Sequence, residues 1–523
     1  MRGRLIYVAA LLAAVSCSKD VPVSDRGLDY EYGRDIRHDM IVLGGRLENP
    51  YKTENMTRAL NALYPVKADR VEVETTDLYV RFLPADDLQA DMLEDLGLTL
   101  TDHPLDYEIA VDGDWYHDPD IPDGRMTWQY AVVPSDFEFP DIEYEIIDEC
   151  HISEHKPGVR SDDGIDWAEV ERMSYLMTGN GNMISETKAS SKTVPSGRIT
   201  IVDEACNGGR PFGVAGVRVS CNSFVKFDHA YTDRDGYYTM EKEFSANLRY
   251  RLVFKNERGF SLGFNLVLVP ASVSTLGKAS PSGVNMTITH DSEEKLFRRC
   301  AVNNAAYDFF SRCPAPDLGI ACPPVDLRIW LFNGLEASSA VMMHHGAVIK
   351  SDLIGSFLGD FASLVEFFLP DITIGTKGRT SYMELYSAAC HELAHASHFS
   401  AVGTSYWNRY IRYVIESYLL TGGMTYGDGT GNDAGHCAVG EMWAYFLEAK
   451  MYNDRYGGAF PSFGTSFWFH PQIFRYMNER GFSCSEIYAA LGNEVTDPSA
   501  LRSALVTMYP ARRTVIEQGF SRY

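Results

Sequence analysis

The chain has 523 residues, which is enough for roughly three or four domains of ordinary size. Hydrophobic residues make up 45% of it, so each domain can bury a sizeable core. The formal net charge is −24. This acidity argues against binding of nucleic acid, because contact with phosphates requires clustered Lys and Arg side chains.

The N-terminal residues are typical of an export signal. Arg2 and Arg4 precede an apolar run of 11 residues, Leu5–Val15, which is too short to span a bilayer. Small residues then lead to Cys17, and the segment resembles the lipobox of bacterial lipoproteins, with Ala14 where Leu is usual. The resemblance implies that a lipid on Cys17 anchors the chain at the outer membrane or cell surface of a Gram-negative bacterium, with residues 18–39 as a tether. The alternative is a plain cleaved signal peptide.

The chain contains ten cysteines, and nine remain when Cys17 is set aside. Since nine is odd, at least one cysteine has no partner within the monomer. Export permits disulfides, and the pairs to test first are Cys206 with Cys221 and Cys313 with Cys322. The alternative is that most of them are buried free thiols.

Residues 40–150 are predicted to form a small α/β domain. Helical spacing and strand alternation predict two helices and three strands: Thr53–Leu63 and Asp86–Leu96, and Met40–Leu43, Asp77–Phe82 and Leu98–Leu100. This domain carries no catalytic motif, and an inhibitory pro-region and a docking domain are both open interpretations. Residues 151–194 are rich in Ser, Gly, Asp and Asn, which predicts a linker with one short helix at Trp167–Met177.

Residues 195–290 are predicted to be all-β, with strands at Arg198–Val202, Val214–Val219 and Arg249–Phe254. A turn at Tyr231–Tyr238 contains Thr-Asp-x-x-Gly-Tyr. The region resembles the carboxypeptidase regulatory-like domain, which implies a transthyretin-like β-sandwich that is separable from catalysis. The aspartates of the turn lack the full spacing of a calcium loop, so a tight turn is predicted instead.

From residue 292 onward the sequence becomes mostly helical. The predicted elements are a helix at Leu296–Phe310, a strand at Leu327–Phe332, a helix at Ile354–Phe368 and a strand at Asp371–Ile374. Ser381–Phe399 contains neither Pro nor Gly, and it is predicted to be one helix.

That helix carries His391-Glu392-Leu393-Ala394-His395. His391 and His395 are four residues apart and project from one face, so their imidazoles can hold a single Zn²⁺. Glu392 is offset by about 100° around the axis, beside the metal, where its carboxylate can take a proton from a zinc-activated water as general base. The alternative is a helix with two surface histidines.

A catalytic zinc usually has three protein ligands, and three candidates exist for the third. His398 lies seven residues after His391, about 10.5 Å along the axis, which is too far for one straight helix to converge on one atom. Glu416 lies 21 residues after His395, and Glu441 lies 46 residues after it, behind a Gly-rich loop. Glu441 is favoured over Glu416, and His398 is assigned to substrate contact or to support of the ligands.

The motif together with Glu441 resembles the gluzincin metallopeptidases, in which a Glu on a second helix completes the zinc site. The resemblance implies a zincin-like catalytic domain over residues 292–523, one Zn²⁺ ion and a peptide or protein substrate. Thermolysin-like members of that group place an Asp four residues after the ligand Glu, where this chain has Tyr445. The candidate transition-state stabilisers are His436, Tyr426 and Tyr445.

The sequence therefore predicts a multidomain α+β protein that acts as a zinc-dependent metallopeptidase on extracellular or periplasmic proteins or peptides. Two other functions are open: a surface-exposed binding lipoprotein on a zincin scaffold, and a zinc hydrolase of a non-peptide substrate. The intact His391, Glu392 and His395 oppose the first of these, because a decayed site would be expected to lose one of them.

Overall fold

The computed structural model describes residues 40–68, 71–122, 125–155, 164–184, 192–263, 272–291, 294–332, 336–347, 370–421, 424 and 426–523. The chain is mixed α+β, as its sequence predicts. The described residues do not include the predicted signal segment with Cys17, the predicted tether or the helix predicted at Ile354–Phe368. Within the described residues, no helix combines the length and the apolar character needed to cross a bilayer.

Within the described residues, the first region contains two small antiparallel sheets and four α-helices. One sheet pairs β1 with β3, and the other has the order β4-β2-β5. Leu98–Leu100, predicted as a strand, is not one; only Thr101 forms a bridge, with Tyr130, and β3 begins later. The elements of this region are β1 (Val42–Arg46), α1 (Thr53–Leu63), α2 (Pro65–Ala68), β2 (Asp77–Leu83), α3 (Asp87–Asp95), β3 (Tyr107–Val111), β4 (Gln129–Pro134), β5 (Glu143–Cys150) and α4 (Trp167–Met177).

The next region is all-β, as predicted. Its strands belong to two sheets: β10, β6, β14 and β7 form one, and β8, β9, β11, β12 and β13 belong to the other. Their bounds are β6 (Ser196–Ile201), β7 (Phe212–Gly213), β8 (Val217–Ser223), β9 (Lys226–Tyr231), β10 (Tyr237–Thr239), β11 (Leu248–Asn256), β12 (Phe260–Leu262), β13 (Val273–Ala279) and β14 (Met286–Ile288).

The C-terminal region is mostly helical, with three short strands. Its elements are α5 (Glu294–Arg312), β15 (Leu327–Phe332), β16 (Ser339–Ala340), β17 (Ile372–Gly375), α6 (Tyr382–Thr421), α7 (Ala434–Tyr456), α8 (Gln472–Asn478), α9 (Cys484–Tyr488), α10 (Pro498–Met508) and α11 (Arg513–Arg522).

One sheet joins the all-β region to the helical region. Its order is β16-β17-β15-β12-β11-β8-β9, and β12 pairs with β15 in parallel, with Leu262 opposite Ile329. A single apolar core runs from Ile199 to Ile516 beneath it. The boundary predicted at 290–292 therefore crosses one continuous sheet, and the all-β region shares backbone hydrogen bonds with the region that carries the His-Glu motif.

A buried ionic cluster ties the first region to the all-β region. The Nζ atom of Lys226 is 2.7 Å from Oε1 of Glu154, and the Lys226 side chain is fully buried. Lys192 is 2.5 Å from the same oxygen. Both lysines also face Glu171, which accepts a hydrogen bond of 2.7 Å from the hydroxyl of Tyr51. The carboxylates of the cluster compensate the charge of the Lys226 ammonium group, which has no access to water.

Candidate metal centre

The helix that carries the motif, α6, begins with a capping box. The Ser381 hydroxyl accepts from the Glu384 backbone N–H at 3.3 Å, and Glu384 accepts from the Ser381 backbone N–H at 3.0 Å. Gly403, with φ 74°, breaks the regular helix, a conformation that glycine adopts without steric cost. The chain can therefore turn after the motif, and the second half of α6 passes beside the same site.

The second helix, α7, supplies Glu441 from its buried face. Asp433 precedes the helix with φ 67° and is paired with Arg412 of α6. The first three turns of α7 are almost entirely buried, because they pack along α6. This pairing of helices brings the carboxylate of Glu441 to the two histidines of the motif.

His391, His395 and Glu441 converge on one point. Each offers a ligand atom, and these atoms all lie within 4.8 Å of one another. Nε2 of His391 is 3.5 Å from Oε2 of Glu441, and Nε2 of His395 is 3.4 Å from Oε1. All three side chains are buried. The group could hold a metal ion, and of the candidates for a third ligand the structure brings Glu441, not His398 or Glu416, to the histidine pair.

The orientation of His391 is set from its other ring nitrogen. Nδ1 lies 3.0 Å from Oε2 of Glu448, and the Ser387 hydroxyl donates to Oε1 of Glu448 at 2.5 Å. Nε2 of His391 has no hydrogen-bond partner among the described residues. This network assigns the proton to Nδ1, which leaves the Nε2 lone pair directed to the metal position.

The carboxylate of Glu441 is held by Tyr410, whose hydroxyl donates to Oε1 at 2.5 Å. Tyr410 comes from the second half of α6, after the break at Gly403. Burial alone would raise the pKa of Glu441, but the neighbouring His395 and His391 hold that pKa well below its ordinary value. The carboxylate of Glu441 therefore remains ionised, although burial alone would favour its protonated form.

The pKa values of the two histidines are shifted in opposite directions. Burial opposes the charged form of both, but the nearby carboxylates of Glu441 and Glu448 raise the pKa of His391 to about 10. Burial lowers the pKa of His395, and the charge of His391 adds to that effect. The two carboxylates thus favour a positive charge beside His391, which a bound metal cation would also supply.

Glu392 is buried beside the ligands, and its Oε2 atom has no hydrogen-bond partner within the described part of the chain. Burial raises the pKa of Glu392 to about 8, partly offset by His391 and by Arg379. Arg379, in the loop before α6, is anchored by the carbonyl oxygens of Gly375 and Glu336. A carboxyl with a pKa near neutrality can both accept and return a proton.

Two of the predicted stabilisers line the site. The ring of Tyr445 packs against His391 with centroids 4.4 Å apart, and its hydroxyl is 2.8 Å from that of Tyr426. Both side chains are almost completely buried. The ring of Tyr445 thus lies against a candidate ligand, and its hydroxyl, paired with that of Tyr426, could donate a hydrogen bond to a developing negative charge.

His398 and His436 do not belong to the group of candidate ligands. The ring of His398 makes edge-to-face contacts with Tyr406 and Trp407, with ring centroids 5.4 and 5.9 Å away, and the ring of His436 lies 4.5 Å from that of Tyr406. Burial lowers the pKa of His398 to about 3, so it is neutral. Glu416 is only half-buried and does not join the ligand group.

The sequence interpretation missed Glu448, Tyr410 and Ser387. A signal for Glu448 was present, because it lies seven residues after Glu441, two turns along the same face of a helix. Ser387 lies one turn before His391 by the same logic. Tyr410 had no comparable signal, because its approach to Glu441 depends on the turn at Gly403.

Comparisons with known proteins leave the family open. No family model matches the chain, and no curated protein matches it. A solved structure titled "Crystal structure of (S)-allantoin synthase" matches with a TM-score of 0.13 and 9% identity, over 24% of this chain and 48% of that one. The match thus spans about half of that protein, and a likeness this low carries no argument about fold or function.

Proposed function

We propose that this protein is a zinc-dependent metallopeptidase. The observation that carries the proposal is the convergence of His391, His395 and Glu441, with ligand atoms within 4.8 Å of one another, beside the buried carboxylate of Glu392. Two imidazoles and one carboxylate are the ligand set of many catalytic zinc sites, which keep a fourth position open.

The donor chemistry favours zinc over harder cations. Mg²⁺ and Ca²⁺ prefer sites built from oxygen ligands, whereas two of the three donors here are imidazole nitrogens. Nε2 of His391 is buried and lacks a hydrogen-bond partner among described residues, which is the state expected of a ligand atom. Glu448 fixes the tautomer that leaves this atom available.

Zinc bound to these ligands would polarise a substrate carbonyl and acidify water. Glu392 accepts the proton of the attacking water at its unpaired Oε2 atom and later delivers it to the leaving amine. Tyr445 and Tyr426 donate hydrogen bonds to the oxyanion, and the burial of the site strengthens those bonds by excluding water.

The proposal includes export and a lipid anchor at Cys17, which rest on the sequence pattern of residues 1–17. A surface or periplasmic location gives the enzyme access to extracellular or periplasmic proteins and peptides as substrates.

The test compares the purified protein with Glu392→Gln and, as a matched control, Glu416→Gln. The expected wild type contains one zinc per chain and cleaves fluorogenic peptides. Glu392→Gln should keep its zinc and lose about 10²–10⁴-fold in activity, while Glu416→Gln should equal the wild type in both. Full activity in zinc-loaded Glu392→Gln would refute the role of Glu392 as general base. A zinc-loaded wild type that cleaves no member of a broad peptide library would refute the proposed peptidase activity.

A further inference from the structure

Cys313 and Cys322 flank a short loop that follows α5. Cys313 is fully buried, whereas Cys322 is partly exposed. Pro314 and Pro316 restrict the backbone between them. The Ile320 backbone N–H donates to the carbonyl of Cys313 at 2.8 Å, which closes the segment into a loop. The backbone itself therefore brings the two cysteines together.

The Cys322 thiol lies at the last turn of α5, which ends directly before Cys313. The Cys322 thiol donates to the carbonyl of Phe310 at 3.8 Å, and the Cys313 thiol hydrogen-bonds to Cys322. That bond lowers the pKa of Cys322 to about 7, while burial raises the pKa of Cys313. Near neutral pH Cys322 is therefore partly thiolate, the nucleophilic form, and Cys313 is held as its protonated neighbour.

We propose that Cys313 and Cys322 are a disulfide-forming site that closes in an oxidising compartment. The Cys322 thiolate attacks one sulfur of a small-molecule disulfide, and one thiolate leaves. Cys313 then loses its proton and attacks the Cys322 sulfur, which expels the second thiolate. Two cysteine thiols are oxidised by two electrons, and one disulfide is reduced to two thiols.

The bond would brace the helix that carries the metal ligands. The carbonyl of Ala321 accepts from the hydroxyl of Ser397 at 2.7 Å, and the carbonyl of Cys322 accepts from that of Ser400 at 2.9 Å. Both serines follow His395 on α6 within five residues. A disulfide that anchors this loop to the end of α5 therefore restrains the support of α6, whether or not the protein is a peptidase.

Other cysteines provide controls. Cys206, predicted as a partner for Cys221, instead has its thiol 3.9 Å from the carbonyl of Arg455. Cys390 lies in the same region as Cys313, but it is completely buried next to His391. A bond from Cys313 to Cys390 is the competing outcome.

The full chain is reduced, freed of reductant, incubated with oxidised glutathione, alkylated and digested without reduction. Trypsin releases residues 313–328 as one peptide, because no Lys or Arg lies between Cys313 and Arg328. The mass of this peptide should be lower by two hydrogens than that of the unmodified dithiol form. After cleavage before Asp317, the disulfide should still join the piece with Cys313 to the piece with Cys322. Two alkylated thiols in this peptide, or a bond to Cys390, would overturn the proposal.

Variants test the order of attack and the brace. Cys206→Ser should keep the bond. Cys313→Ala should trap one glutathione on Cys322, whereas an unmodified Cys322 there would contradict the assigned nucleophile. Oxidation should raise the melting temperature of the wild type by about 2 °C or more and leave that of Cys322→Ser unchanged. An equal melting temperature for oxidised and reduced wild type would overturn the bracing role.

Discussion

The Oε2 atom of Glu448 lies 3.0 Å from Nδ1 of His391, on the opposite side of the ring from Glu441. One helix, α7, thus offers both the carboxylate that could bind a metal and the carboxylate that orients a ligand. The resemblance noted in the sequence predicts an orienting carboxylate four residues after Glu441, where this chain has Tyr445. The seven-residue spacing to Glu448 provides the same contact from two turns along.

Replacement of this orienting carboxylate should weaken metal binding. Glu448→Gln removes the charge that fixes the Nδ1 proton of His391, so we expect about a 10–100-fold loss of zinc affinity. Competition with a fluorescent chelator measures it, and Glu416→Gln on α6 is the control. An unchanged zinc affinity in folded Glu448→Gln would show that the orientation of the His391 ring does not depend on the Glu448 carboxylate.

The third ligand can be assigned by metal content. Glu441→Ala should lose most zinc affinity and activity, by about 10–100-fold or more, because it removes the only carboxylate that meets both histidines among the residues described. His398→Ala should be intermediate, since His398 packs behind the site, and Glu416→Ala should be nearly silent. A full zinc complement in Glu441→Ala, with loss in Glu416→Ala, would transfer the role to Glu416.

The ionic cluster around Lys226 should make the fold acid-sensitive. Burial would raise the pKa of Glu154, but Lys226 and Lys192 together hold it below its ordinary value of 4.5. A depressed pKa in the folded state means that this stabilisation is present above pH 4.5 and is lost as the pH falls through the lower, folded-state pKa.

Glu154→Gln should therefore lower the free energy of unfolding by about 1–3 kcal/mol at pH 7, because it leaves Lys226 with one fewer carboxylate, and by less at acid pH. Urea unfolding at both pH values measures the difference. Glu145→Gln, which removes a surface pair with Arg81, is the control and should cost less than about 1 kcal/mol. An equal loss for Glu154→Gln at both pH values would contradict the argument.

The shared sheet predicts the outcome of truncation. A chain that begins at Glu294 lacks β12, so β15 loses its parallel partner and the apolar core is opened. We expect this chain to aggregate and to bind no metal. A chain that begins at Met40 should remain soluble and retain its metal. Analytical gel filtration and metal analysis measure these results. A soluble, cooperatively folded 294–523 fragment with a full metal complement would contradict this expectation and show that the all-β region is separable.

Lipidation is testable in the native host. Mass analysis of the mature N-terminus should find a lipid-modified Cys17, since small residues precede it at the end of the apolar run. Cys17→Ser should shift the protein from the membrane fraction to the soluble fraction. An unmodified N-terminus at another residue would refute the anchor.

The sequence alone determined the features that arise from short-range periodicity. The helices Thr53–Leu63 and Trp167–Met177 and the strand Leu327–Phe332 have the predicted bounds, because side chains three to four or two residues apart define a face locally. The same rule placed His391 and His395 on one face and Glu392 beside them. The false strand at Leu98–Leu100 shows the limit of the rule, since three apolar-rich residues form a strand only when a partner is available.

Tertiary structure decided the features that join distant parts of the chain. The meeting of Glu441 with the motif, 46 residues later, depends on how α7 packs along α6. The approach of Tyr410 depends on the turn at Gly403, and the union of two predicted domains depends on the pairing of β12 with β15. These contacts follow from the burial of apolar faces against each other. A local sequence pattern shows that a face is apolar, but it does not show which distant segment covers that face.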